Sequence, residues 1–174
     1  PEHTTRALFE RYGLLVTEGY GLTECAPVGT TTTNVEKSTA LTKIGSIGRV
    51  LPGVEVRLVD ESGENALRGD AGEIWVRGPN VFLGYFEDPQ ATARALTDDG
   101  WLRTGDIAVI DDDGFFYLVD RAKDLIIVSG FNVYPAEVEE AIREHSAVAQ
   151  AAVVGVEHPH SGEAVRAYVV LRPD

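Results

Sequence analysis

The sequence predicts an α+β fold: a β-rich part, barrel-like or a distorted sheet, followed by the start of a smaller α+β unit. Short runs alternate with period two and are broken by turns between about 44 and 119. The texture changes after Val119, where polar residues 120–125 separate two strand-like runs. A helix started by Pro135 then lies between further strands.

Each element has a local reason. Residues 4–12 carry Leu8, Phe9 and Tyr12 at helical spacing. Leu14–Thr17 reads as a short apolar strand running into Gly19–Glu24. Gly29–Asn34 reads as a loop. Val54–Leu58 and Gly72–Arg77 alternate and form a hairpin with a long loop around Asp60–Gly63. Asp88-Pro89 opens a short helix with Ala91, Ala95 and Leu96 on one face. Ile107–Ile110 and Phe115–Val119 flank the turn Asp111–Gly114. Leu125–Val128 and Asn132–Tyr134 flank Ser129-Gly130. Pro135 starts a helix with Glu137 and Glu139 near its positive end and Val138, Ala141 and Ile142 on one face. Val148–Val156 and Ala164–Leu171 are the last strands.

The 174 residues carry 15 basic and 28 acidic side chains, a net charge of −13. Nucleic acid is a poor partner for such a chain, because phosphate binding needs clustered Lys and Arg. The apolar runs are too short to span a bilayer. The single cysteine, Cys25, allows no internal disulfide and suits a reducing, cytoplasmic compartment.

Three segments carry chemistry. In Gly19–Cys25, Tyr20 offers a ring face for a flat base, Thr23 a hydroxyl for a phosphate oxygen, and Glu24 a hard oxygen ligand for Mg²⁺. Gly21 lets backbone approach a ligand. The same residues also read as a buried strand ending in a turn. In Trp101–Asp106, Asp106 can accept two hydrogen bonds from a ribose diol or cap the strand that follows. Asp120–Asp124 reads as a solvated linker or a surface ion pair.

Other signals are weaker. His158 and His160, with Glu157, are too few for a metal site. Asp111–Gly114 lacks the EF-hand spacing. Cys25 has no patterned His partner and reads as a packing residue. Trp75 and Trp101 read as core aromatics.

In order and spacing, GYGLTE, GEIWVRGPNVFLGY, GWLRTGD and DRAKDLIIVSGFNVYPAEVE resemble the adenylate-forming acyl-CoA synthetases, from about Gly19 to Asp174. EGYGLTECAPV and VSGFNVYPAEVE look most like bacterial long-chain fatty-acid–CoA ligases. The resemblance implies two steps. A carboxylate attacks the α-phosphate of ATP, and coenzyme A then takes the acyl group and releases AMP. It implies adenine stacking on Tyr20, nucleotide contact at Gly21, an α-phosphate contact from Thr23 and Mg²⁺ on Glu24. Asp106 is expected on the ribose, supported by Arg121. Lys123 is the expected hinge. Ser129, Gly130 and Phe131 are expected to line the coenzyme A tunnel.

The implied division is 1–119 as the end of the large domain, 120–125 as hinge and 126–174 as an incomplete small domain. The family's phosphate loop is expected upstream of Pro1, and its adenylation lysine beyond Asp174. Lys37, Lys43 and Lys123 lie in other motifs. The chain is therefore expected to be an excerpt without appreciable ligase turnover of its own. Alternatives are an aryl- or hydroxycinnamate–CoA ligase, an acyl-AMP ligase loading a carrier protein, and a non-catalytic nucleotide-binding module. Oligomeric state and peripheral membrane contact of the full-length protein are left open.

Overall fold

The computed structural model describes residues 2–33 and 35–173, and the side chains of that set from residue 4 onward. Pro1, Asn34 and Asp174, which end three of the expected segments, lie outside the described residues. The chain divides into two compact units, Pro1–Leu118 and Val119–Asp174.

The first unit opens with α1 (Glu2–Tyr12). Three two-residue strands follow, β1 (Gly19–Tyr20), β2 (Thr30–Thr31) and β3 (Arg49–Val50), paired antiparallel in that order, with α2 (Lys37–Thr42) between β2 and β3. A four-stranded sheet comprises β4 (Glu55–Val59), β5 (Gly72–Arg77), β6 (Leu102–Ile110) and β7 (Phe116–Arg121) in sequence order. Strand β7 carries the chain across the division between the units. Helix α3 (Pro89–Ala95) connects β5 to β6. The sheets are open rather than closed into a barrel.

Period-two patterning explains the packing of β5. Ile74 and Val76 are buried, whereas Glu73, Trp75 and Arg77 take the opposite face. The buried side joins Leu58, Leu102, Ala108 and Phe116 from the sheet with Tyr20, Cys25 and Ile47 in one core. Ser46 fastens the segment before β3 to β7: its hydroxyl donates to Phe116 O at 2.8 Å and accepts from Gly48 N–H at 2.9 Å. Helix α3 begins as expected, with Pro89 in its first turn and the Asp88 side chain accepting from Ala91 N–H.

Three local expectations change. Leu14–Thr17 forms no strand, and Leu14 and Val16 are exposed. The loop after Gly29 contains β2, whose Thr30 hydroxyl donates to Ile47 O. Trp75 is half-buried on the outer face of the sheet rather than in the core. There Arg57 and Arg103 lie over its ring at 4.8 and 5.1 Å. Trp101 is buried, with Arg57 and Arg77 over its ring at 4.4 and 4.5 Å. Such contacts contribute about 0.5–1 kcal/mol each at exposed sites.

The second unit contains β8 (Ile126–Val128), β9 (Phe131–Val133), α4 (Pro135–Arg143), β10 (Val148–His158) and β11 (Gly162–Leu171). Its sheet order is β10-β11-β8-β9, and α4 packs on β10. Its acidic side chains hold the unit together. Asp120 accepts from Ala136 N–H at the start of α4, Glu139 from Val153 N–H and Glu163 from Ile127 N–H. Among the described residues no helix is long and apolar enough to cross a membrane.

Candidate functional site

Two turns of the first unit bring the expected site residues together. In the first, β1 ends at Tyr20 and a single 3-10 turn, Thr23–Cys25, follows. Cys25 is fully buried; its sulfur accepts from Leu22 N–H and its thiol faces Pro27 O, as a structural side chain does. Burial raises its pKa above the usual thiol range, which disfavours the reactive thiolate. Ala26 takes a left-handed conformation with φ +43°. The turn doubles back so tightly that a β-carbon on Gly21 would lie 1.6 Å from Pro27 O. What approaches Gly21 is thus the chain's own backbone.

The second turn lies inside a strand. Between the register pairs Glu73–Ile107 and Trp75–Arg103, β5 contributes Ile74 and β6 contributes Thr104, Gly105 and Asp106. Those residues form a bulge, which re-aims side chains at the cost of ladder pairing. Gly105 has φ +74°, a left-handed conformation that suits glycine. The buried Thr104 hydroxyl donates to Ile74 O at 2.8 Å and accepts from Asp106 N–H at 3.1 Å. Asp106, expected before the strand, is therefore within β6.

The bulge and the first turn meet through Tyr20, whose hydroxyl donates to Asp106 Oδ2 at 2.7 Å. Tyr20 is 8% exposed. Burial first, and then the hydrogen bond and charge of Asp106, hold its phenol well above the usual range, although Thr104 opposes this. Tyr20 therefore remains a neutral donor to that carboxylate.

The Thr23–Cys25 turn is braced by residues the sequence reading did not single out. Asn80 Nδ2 donates to Cys25 O and Val28 O, and Phe82 N–H donates to Glu24 O at 2.8 Å. The Tyr85 hydroxyl donates to Glu24 Oε1 at 2.7 Å, and its ring packs edge-on against Phe82. That hydrogen bond, more than burial, raises the Tyr85 pKa. Only the GPNVFLGY motif as a whole pointed to these residues.

Glu24 is half-buried and Thr23 exposed, so the carboxylate and the hydroxyl can meet a ligand. Among the described residues no three His, Cys, Asp or Glu gather into a metal site. A single half-exposed carboxylate fits Mg²⁺ in the manner typical of that ion, with substrate phosphates and waters completing the shell.

The remaining expected residues belong to the second unit. Arg121 ends β7, and Lys123 lies exposed in a 3-10 turn, Ala122–Asp124. Lys123 lines a groove of about 360 Å³ with Asp120, Ile126, Glu139 and Glu163. Ser129 and Gly130 have φ +53° and +85° and join β8 to β9 in a two-residue turn. Positive φ at both positions is the hairpin geometry that strand twist favours. A β-carbon on Gly130 would have no neighbour within 4 Å, so its φ rather than crowding calls for glycine. Phe131 is 76% exposed.

Residues 1–86 match the AMP-binding enzyme family, and residues 137–174 match the AMP-binding enzyme C-terminal domain. A long-chain-fatty-acid–CoA ligase of Yersinia pestis is 52% identical over 153 residues, 88% of this chain and 26% of that protein. ATP-bound MatB from Rhodopseudomonas palustris superposes with a TM-score of 0.87 at 41% identity, over 98% of this chain and 33% of its own. The o-succinylbenzoate CoA synthetase of Bacillus subtilis, solved with its acyl-adenylate intermediate, gives 0.87 at 37% identity, over 100% of this chain and 35% of its own. This chain spans about a quarter of the length of the curated relatives it matches. With both matches falling in order along one chain, it belongs to the AMP-binding, adenylate-forming enzyme family.

Proposed function

We propose that this chain is part of an AMP-forming long-chain fatty-acid–CoA ligase working in the cytoplasm. In the first step a fatty carboxylate oxygen bonds to the α-phosphorus of ATP and pyrophosphate leaves. In the second, the thiol of coenzyme A bonds to the acyl carbon, its proton is lost and AMP leaves. The observation that carries this reading is the Tyr20–Asp106 hydrogen bond, which joins two motifs 86 residues apart. The identity to fatty-acid ligases, about half of all aligned positions, favours a long acyl chain over an aryl acid.

In this reading Asp106 accepts hydrogen bonds from the ribose hydroxyls, and Arg121 supports those hydroxyls. Tyr20 holds Asp106 by its hydroxyl and offers its remaining ring surface to adenine. Gly21 keeps the turn tight beside the nucleotide. Thr23 donates to an α-phosphate oxygen. Glu24, oriented by Tyr85, holds Mg²⁺. When bound, that ion neutralises charge on the phosphates. Residues 1–119 belong to the large domain and 126–174 to the small one. Lys123, exposed in its 3-10 turn, is the hinge residue within 120–125. Ser129, Gly130 and Phe131 line the path of the pantetheine arm.

The test supplies the full-length protein with ATP, Mg²⁺, coenzyme A and acids from acetate to oleate plus a cinnamate. AMP and acyl-CoA rising together with a long fatty acid is the expected result. Turnover confined to the cinnamate would make it an aryl ligase. Adenylate without thioester would make it a carrier-loading ligase. No turnover with any acid would leave a substrate outside the panel or a nucleotide-binding module, and the presence or absence of the adenylation lysine in the full-length sequence would decide between them.

A further inference from the structure

The bulge that carries Asp106 is held by a side chain of the neighbouring strand. Both oxygens of Glu73 are engaged: Oε1 accepts from Gly105 N–H at 2.8 Å, and Oε2 accepts from the Trp75 indole N–H at 2.8 Å. A bulge removes ladder partners from the backbone groups it displaces, and those groups need replacements. Glu73 supplies one for Gly105, as the Thr104 hydroxyl does for Asp106. The Trp75 ring is itself flanked by Arg57 and Arg103, which fixes the indole donor that orients Glu73. One residue thus connects the aromatic–arginine stack on the outer face of the sheet to the backbone beside Asp106.

We infer that Glu73 is a positioning residue for nucleotide recognition, setting the bulge so that Asp106 meets the ribose hydroxyls. The inference rests on the reading of Asp106 given above. A carboxylate is suited to the place because two N–H donors converge on it. Glutamine can accept from one of them and turns its own NH₂ toward the other; alanine leaves both without a partner.

The test measures calorimetric binding of AMP and 2′-deoxy-AMP to the full-length protein and its variants. Wild type is expected to prefer AMP by about ten- to hundredfold, the value of a hydrogen bond to a charged group. Asp106→Asn should lose that preference. Glu73→Gln should lose most of it, while its affinity for 2′-deoxy-AMP changes by less than about threefold. Glu73→Ala should do the same; should it fail to fold, Glu73→Gln carries the test. If wild type itself does not distinguish the nucleotides, the ribose reading of Asp106 falls, and Glu73 with it. If wild type distinguishes them and Glu73→Gln keeps the same ratio, the positioning role falls and the reading of Asp106 stands. Equal weakening toward both nucleotides would also overturn the inference, because it marks general structural damage.

Discussion

Gly21 has no room for a β-carbon, and its neighbour in the turn is main chain, which cannot swing aside. Gly21→Ala must therefore displace Pro27 and with it the Thr23–Cys25 turn. Overpacking of this kind costs on the order of 3 kcal/mol, and in a chain of this size lowers Tm by roughly 6–12 °C. Gly19→Ala is the control, because its β-carbon would meet Thr30 O at an ordinary 3.7 Å. Thermal melts of the two variants decide: equal melting points would mean the turn is looser than described. The candidate residues themselves were legible as residue types within motifs. Their supports were not. Nothing in the sequence tells that Tyr85 reaches Glu24 across 61 positions, or that Glu73 faces Gly105, because those contacts depend on strand register.

At the scale of elements, period two revealed β4 and β5, and proline and aspartate revealed the start of α3. The beginning of β6 was hidden, because Thr104-Gly105 has the composition of a turn although it forms a bulge within a strand. The turn joining β6 to β7 was recognised, but not its partner. Lys43 reaches Asp111 at 2.7 Å and Asp113 at 2.6 Å, and lies over the buried ring of Phe115 at 5.3 Å. Burial opposes ionisation of Asp111, yet the bonds from Lys43 and from Phe115 N–H win and hold its carboxyl below the usual range. A carboxyl depressed in the folded state stabilises above its unfolded pKa, about 4, and that contribution disappears as pH falls through the folded value. Asp111→Asn should therefore melt a few degrees below wild type at pH 7, with the gap narrowing below pH ~4. Melting curves at pH 7 and 3 test this, and a gap that persists at pH 3 would assign the loss to the turn's neutral hydrogen bonds.

For the whole molecule, burial is divided unevenly between the units. The first buries one continuous core across two sheets, from Tyr20 and Cys25 to Ile74, Leu102 and Phe116. The second buries few apolar side chains, Ile126, Val148 and Val153 among them. Strand β11 leaves Val165, Tyr168, Val169, Val170 and Leu171 exposed, the last by 66%. The resemblance to a two-domain family, with the small domain incomplete, already implied missing packing for Ile126, Val128, Val153 and Val169; Val169 is exposed as implied, whereas Ile126 and Val153 are buried. Each buried apolar side chain contributes about 1.5–3 kcal/mol, so the second unit has less to lose on opening. Its backbone hydrogen bonds should accordingly open at lower free energy, through sub-global unfolding that leaves the β4–β6 sheet intact. Hydrogen exchange read by mass spectrometry on this chain should show β10 and β11 exchanging at least about tenfold faster than β4, β5 and β6, a difference of about 1.4 kcal/mol in opening. Exchange in β10 and β11 as slow as in β5 would mean that the α4–β10 contact and the acidic caps at Ala136, Ile127 and Val153 offset the missing apolar burial.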